Sequence, residues 1–272
     1  MPEPVNECVR NAGADVEAIQ ACVATDNLFD AIVALNYDTG VVRWATKALP
    51  FDAWTVGCLP PPFGSGTNCP DPEGPDYDFG QAPALFTVDR EGKSRQLVGA
   101  GQKSGQYWAL DADSGAVQWV TQAGPGGTGG GLQWGSAVDD RRVYTANSNS
   151  NFKPWTLPDD SVTVGGVWSA LDRATGEVLW QKTPPNFDVS GWGETSGPVT
   201  TANGVVFSCS VGPVGYMYAL DGATGDVLWS FASGGSCLSG AAISRGEVFW
   251  GSGYGNFGLG TPNNKLYAFT LP

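Results

Sequence analysis

The chain contains no histidine. That excludes a Ser-His-Asp or Cys-His catalytic arrangement, a histidine-ligated zinc and haem attachment through Cys-x-x-Cys-His. Any chemistry must rest on carboxylates, on Lys and Arg, or on a cofactor. Charge is scarce as well, at 15% of residues, and lopsided: 14 Lys and Arg stand against 27 Asp and Glu, for a net −13. Binding a nucleic-acid backbone needs a basic face, so no nucleic-acid partner is expected. A cation site is compatible with this balance, and so is solubility alone. No apolar run approaches the roughly 20 residues that cross a bilayer, so no membrane span is expected. None of the six cysteines has the Cys-x-x-Cys spacing of a zinc or redox site.

What is abundant is Gly (39), Pro (19) and Trp (11) in 272 residues. That composition suits many short strands joined by tight turns, with enough aromatic mass to form a core. The cysteines fall into local pairs, Cys8 with Cys22 and Cys58 with Cys69, leaving Cys209 and Cys237. An even count in loop-rich sequence points to disulfides and to an oxidising or extracellular compartment. The start, Met1-Pro2-Glu3-Pro4, lacks the basic and apolar regions of a secretory leader. The expectation is a leader already removed, or a chain that is part of a longer one.

A repeat organises the sequence. Ala34-Leu35-Asn36 leads to Gly40 and Trp44, Ala109-Leu110-Asp111 to Gly115 and Trp119, Ala170-Leu171-Asp172 to Gly176 and Trp180, and Ala219-Leu220-Asp221 to Gly225 and Trp229. A fifth copy opens at Leu266-Tyr267-Ala268-Phe269. In each, an apolar strand ends at an Asx that can accept a backbone N–H two residues on. The Gly supplies a positive φ, and Val and Trp two apart on the returning strand are expected on one face. Between copies, small residues precede Val with an aromatic, as in Gly135-Ser136-Ala137-Val138 with Val143-Tyr144, and these read as inner strands.

The unit is therefore a four-stranded antiparallel sheet, and the fold an all-β propeller. Partial blades are expected over 1–48 and 238–272, and whole blades over 79–121, 133–182 and 195–231. Excess length falls in loops at 50–80, 121–133 and 145–165. The ends could combine to close a small ring; an arc of about four blades from a larger propeller is the preferred expectation.

The repeated Ala-Leu-Asp-x-x-Thr-Gly-x-Val-Leu-Trp resembles the tryptophan-docking repeat of enzymes that use pyrroloquinoline quinone (PQQ). More specifically it is similar to polyvinyl alcohol dehydrogenase-like proteins, through Phe29–Leu35, Asp78–Pro83, Gln102-Lys103-Ser104-Gly105, Ala123–Gly127 and Arg142–Thr145. The Cys8/Cys22 and Cys58/Cys69 positions match that subgroup too. The resemblance covers about the C-terminal half of an eight-bladed propeller. It implies oxidation of a small alcohol by hydride transfer to the quinone, with calcium polarising a quinone oxygen and a carboxylate taking the hydroxyl proton.

On the matching positions, Asp78 stands where the family's base stands and Lys103 where a cation contacts the quinone oxygens. Trp192, in Gly191-Trp192-Gly193, resembles a cofactor-proximal segment. The family's calcium ligands come mainly from the half that has no counterpart here, so no complete cation site is expected. Activity would then require a second chain supplying missing blades, or self-association. The competing reading is a non-catalytic scaffold that binds through the loops at 50–80 and 145–165. A third, a carbohydrate-binding propeller, draws on Trp54 and Trp155. The Gly124–Gly131 run lacks the Gly-Lys-Ser/Thr ending of a phosphate cradle and is read as a crossing loop.

Overall fold

The structure is a computed structural model that describes residues 1–90, 92–187, 197–256 and 260–270. The chain divides into two compact units, Met1–Phe79 and Gly80–Pro272.

The first unit opens with two helices, α1 (Glu3–Ala12) and α2 (Val16–Cys22), that the strand-and-turn composition does not announce. Asp15 caps α2, its Oδ1 accepting from the backbone N–H of Glu17 (3.0 Å) and Ala18 (3.1 Å). A disulfide between Cys8 and Cys22 ties the helices together, and their apolar sides pack Val9 and Val23 against Phe51 and Ala53. One antiparallel hairpin follows, β1 (Ala31–Leu35) with β2 (Val42–Lys47). The loop beyond it carries the Cys58–Cys69 disulfide.

The second unit is built from antiparallel sheets. The first holds β3 (Ala84–Arg90), β4 (Lys93–Gly101), β5 (Gln106–Asp111) and β6 (Val117–Gln122) in chain order. The second holds β7 (Ala137–Val138) and β8 (Arg142–Asn147). The segment read as a 145–165 loop then contains its own short hairpin, β9 (Trp155–Thr156) with β10 (Val162–Thr163). The sheet resumes with β11 (Val167–Asp172) and β12 (Val178–Lys182). A third sheet is β13 (Thr200–Ala202), β14 (Val205–Cys209), β15 (Tyr216–Asp221) and β16 (Val227–Ala232). The last has three strands, β17 (Ala242–Ser244), β18 (Glu247–Ser252) and β19 (Lys265–Thr270).

The four repeat hairpins are alike in detail. Asn36 Oδ1 accepts from Asp38 N and Thr39 N at 3.1 and 2.9 Å, and Asp111, Asp172 and Asp221 make the same pair of bonds. The following glycines, Gly40, Gly115, Gly176 and Gly225, have φ between 69° and 79°, where a Cβ is strained. In every hairpin the Ala opposes the Trp, and the register slips at the next residue. This bulge breaks the expected sharing of a face: Trp119 is 8% exposed while Val117 is 48% exposed.

Trp119 and Trp180 reach the next sheet. Trp119 Nε1 donates to the carbonyl of Arg173 at 3.2 Å, and Thr121 Oγ1 donates to that of Gly176 at 2.6 Å. Trp180 Nε1 donates to the carbonyl of Gly222 at 3.1 Å. Each indole lies against the neighbour's turn glycine: a β-carbon at Gly176 would stand 2.6 Å from Trp119, and one at Gly225 2.6 Å from Trp180. Apolar clusters fill the spaces between successive sheets, joining Tyr107, Trp119 and Leu171 in one and Trp168, Trp180 and Tyr218 in the next. Trp229 differs. It is 38% exposed and packs against Phe231 and Phe269. The Cys209–Cys237 disulfide, fully buried, links the end of β14 to the segment before β17.

Candidate functional site

Asp78 belongs to the first unit, where four carboxylates gather. Asp52 is committed to the backbone, its Oδ1 accepting from Trp54 N and its Oδ2 from Tyr77 N, both at 3.0 Å. Those bonds tie the loop after β2 to the segment that carries Asp78. Gly74 is the hinge of the arrangement, because at φ +86° its missing β-carbon would lie 2.6 Å from Asp52 Oδ1. Asp30 sits immediately before β1 with φ +44°, and its carbonyl accepts from Ala48 N at 2.9 Å. Its side chain is half-buried and hydrogen-bonded to Asp78. Burial, followed by the charges of Asp52, Asp78 and Asp76, pushes the Asp30 carboxyl up to about 7. Below about pH 7 the Asp30 carboxyl therefore keeps its proton and can donate it in the hydrogen bond to Asp78. The separation of 48 residues hides this pairing from the sequence.

The acidic segment around Asp78 also contains Cys58, Cys69 and Glu73, whose ligand atoms approach one another. The two sulfurs are bonded together and offer no thiolate, so this group is structural. Among the described residues no three carboxylates bring their oxygens within 4.8 Å of one another.

Lys103 belongs to the second unit, in the turn between β4 and β5. It is 8% exposed, and Gln102 beside it is fully buried. The turn is closed by Gln102 N donating to Gln106 O and Gly105 N donating to Gln102 O, both at 2.9 Å. Ser104 Oγ donates to Gln102 Oε1 at 2.6 Å, while Gln102 Nε2 is buried with no partner among the described residues.

The glycine run is a packed loop laid against this turn. Gly127 N donates to Lys103 O at 3.1 Å and Leu132 N to Gln102 O at 3.1 Å. Side chains would not fit there, because a β-carbon at Gly131 would stand 2.5 Å from Lys103 O and one at Gly124 2.4 Å from Asn147. Beyond the loop lies a network of buried amides that sequence reading missed. Asn147 Nδ2 donates to Pro125 O (3.0 Å), and Asn149, with φ +46°, donates to the carbonyls of Lys153, Val164 and Gly165. The alternation Asn147-Ser148-Asn149-Ser150-Asn151 directly after a strand was the available signal.

Trp192 lies outside the described residues. Trp155 is only half-exposed, and its Nε1 donates to Gln181 Oε1 at 3.2 Å, so its polar edge is already engaged. No helix among the described residues is long and apolar enough to cross a membrane.

Comparison with known proteins places these features. Residues 163–269 match the repeat family PQQ_2, described as outer membrane protein assembly factor BamB. A polyvinylalcohol dehydrogenase of Sphingopyxis sp. (strain 113P3) is 40% identical over 157 residues, which is 56% of this chain and 22% of that protein. A polyvinylalcohol dehydrogenase of Pseudomonas sp. is 31% identical over 204 residues, covering 70% of this chain and 29% of that one. The chain thus spans less than a third of the length of these relatives.

Among solved structures, quinohemoprotein alcohol dehydrogenase from Comamonas testosteroni superimposes with a TM-score of 0.58 at 17% identity, over 83% of this chain and 39% of that one. A europium-containing methanol dehydrogenase superimposes with a TM-score of 0.56 at 16% identity, over 85% and 45%. At such identity the likeness is one of fold, and that fold is the β-propeller.

Proposed function

Because this chain belongs to the quinoprotein alcohol dehydrogenase-like superfamily of PQQ repeats, we propose that it is the arc of a larger eight-bladed propeller and supplies part of the machinery that oxidises an alcohol. The observation that carries the reading is Lys103, a cation held almost out of solvent in a turn whose neighbouring amide, Gln102 Nε2, has no partner among the described residues. A buried cation beside a donor with spare capacity suits PQQ, an acceptor-rich anion. Bound there, PQQ would accept the hydride from the alcohol carbon.

The chain's own residues do the rest. Lys103 offers a point charge to the quinone oxygens and stabilises negative charge that develops on them. Asp78 takes the hydroxyl proton. Asp30, protonated up to about pH 7, holds the Asp78 carboxyl in place through their hydrogen bond. The contacts of Trp119 and Trp180 on the next sheet's turn glycine are the docking joints that keep blades in register. No three carboxylates among the described residues converge on one point, so the carboxylates of this chain do not by themselves complete a calcium site. The missing blades come from further sequence, a second chain or self-association. Three disulfides suit an oxidising, extracellular or periplasmic setting.

The test is titration of the protein with PQQ in the presence of calcium, followed by dye reduction with primary and secondary alcohols. Asp78→Asn is expected to retain PQQ binding and lose turnover by a factor of about 10² or more. Retained turnover in that variant removes Asp78 from the mechanism. A second reading, a propeller without catalysis that acts as a binding scaffold, is favoured by the absence of a converging carboxylate set. PQQ binding that is undetectable in the native protein would select it.

A further inference from the structure

The opposite end of the sheet that carries Lys103 has a second polar cleft. β4 begins at Lys93 and ends just before Lys103, so at about 3.4 Å per residue Arg95 and Lys103 stand roughly 25 Å apart along the strand. The cleft at the Arg95 end has a volume of about 600 Å³ and is lined by Arg90, Lys93, Arg95, Asp111, Ser114 and Gln118, with Leu97 as its buried floor.

Three of the chain's 14 cations are concentrated here, although the chain carries 27 acids. Arg90 lies directly opposite Lys93 in the β3–β4 ladder, and Arg95 is two residues from Lys93 on the same face. Like charges placed opposite each other in a ladder repel. Neither Lys93 nor Arg95 makes an ion pair among the described residues, and Arg95 meets the charge of Asp111. Asp111 is itself engaged, its Oδ1 accepting from Ser114 Oγ (2.7 Å), Ser114 N and Asp113 N. Arg90 is fixed in place: Nη1 donates to Gln118 Oε1 at 2.9 Å and Nη2 to the carbonyl of Ala174 in the neighbouring sheet. A guanidinium held by two bonds still has N–H groups to present, and holding it beforehand lowers the entropy lost on binding. Two exposed cations beside one fixed one, over the buried Leu97, form a receptor for an oxyanion.

We propose that this cleft binds a small polyvalent oxyanion, carrying phosphate or carboxylate groups, at Arg90, Lys93 and Arg95. The site is independent of the Lys103 turn and of any redox function. Its volume falls within the range of small-molecule sites.

The experiment is calorimetric titration of the native protein with inorganic pyrophosphate and, separately, with citrate, at low and at physiological salt. Saturable binding is expected for at least one probe, weakening as salt rises. The Lys93→Gln/Arg95→Gln double variant should bind at least about tenfold more weakly, and Lys103→Gln should bind as the native protein does. Saturation by pyrophosphate alone assigns phosphate recognition, and by citrate alone carboxylate recognition. Both residues are exposed and make no ion pair among the described residues, so the double variant should melt close to the native protein, and the probe should raise only the native melting temperature. No saturable binding at millimolar concentration overturns the site. So does equal binding by the double variant, or a loss confined to Lys103→Gln.

Discussion

Replacing Gly176 by alanine should destabilise the second unit far more than replacing Gly204, although the two glycines have almost the same φ, +79° and +78°. An alanine at either position must adopt a left-handed backbone, at a cost of about 1–2 kcal/mol. At Gly204 nothing lies within 4 Å of the added carbon, so that is the whole effect. At Gly176 the carbon would stand 2.6 Å from Trp119 Cε3 and 2.7 Å from Thr121 Oγ1, closer than real β-carbons approach anything. The Trp119 ring must shift, straining its bond to Arg173 O, and overpacking of this kind adds about 1–3 kcal/mol. Gly176→Ala should therefore total about 2–5 kcal/mol, and Gly225→Ala, which meets Trp180 at 2.6 Å, should match it. Urea unfolding followed by tryptophan fluorescence measures the difference, and the red shift should begin earlier in Gly176→Ala than in Gly204→Ala. Equal midpoints for the two variants would refute the claim that the turn glycine is a seat for the neighbouring indole.

Two further predictions concern stability. Asp30 is raised from 3.8 to about 7 in the folded state. Between those values the folded protein keeps a proton that the unfolded chain has released, so stability falls as pH rises through this window and levels off above it. The shift alone would amount to about 4 kcal/mol, but the group is only half-buried, and solvent screening reduces this to about 1–2 kcal/mol. Melting temperatures from pH 4 to 8 should decline more steeply in the native protein than in Asp30→Asn; parallel curves contradict the assignment. Cys209→Ser/Cys237→Ser opens a link spanning 28 residues and should cost about 3–4 kcal/mol by loop entropy, read as a lower urea midpoint. An unchanged midpoint would show that the bond does not restrain the unfolded chain.

The hairpins are legible because their causes are local. Asn36, Asp111, Asp172 and Asp221 each bond the N–H groups two and three residues on, and the glycine that follows takes the positive φ the sequence demands. What the repeat does with its tryptophan is less local. Gly176 reads from sequence as a turn residue only, and its second duty appears when Trp119 arrives from a position 57 residues earlier. The bulge at Ala109/Leu110 separates Val117 from Trp119 in exposure, and simple alternation cannot show that. Helices α1 and α2 escape composition because they are a small part of a strand-rich chain and owe their cover to Phe51 and Ala53 from a later loop.

The candidate site divides in the same way. Asp78 and Lys103 are named by resemblance of short motifs. The Asp30–Asp78 bond and the packing of Gly131 on the Lys103 carbonyl arise from residues far apart in the chain. The same is true of Asn149, whose three carbonyl acceptors lie up to 16 residues away.

Equilibrium dialysis of PQQ against the native protein and against Lys103→Gln tests the functional account most directly. The account predicts stoichiometric retention by the native protein and a loss of affinity of about tenfold or more in Lys103→Gln. Equal retention by the two proteins would contradict it.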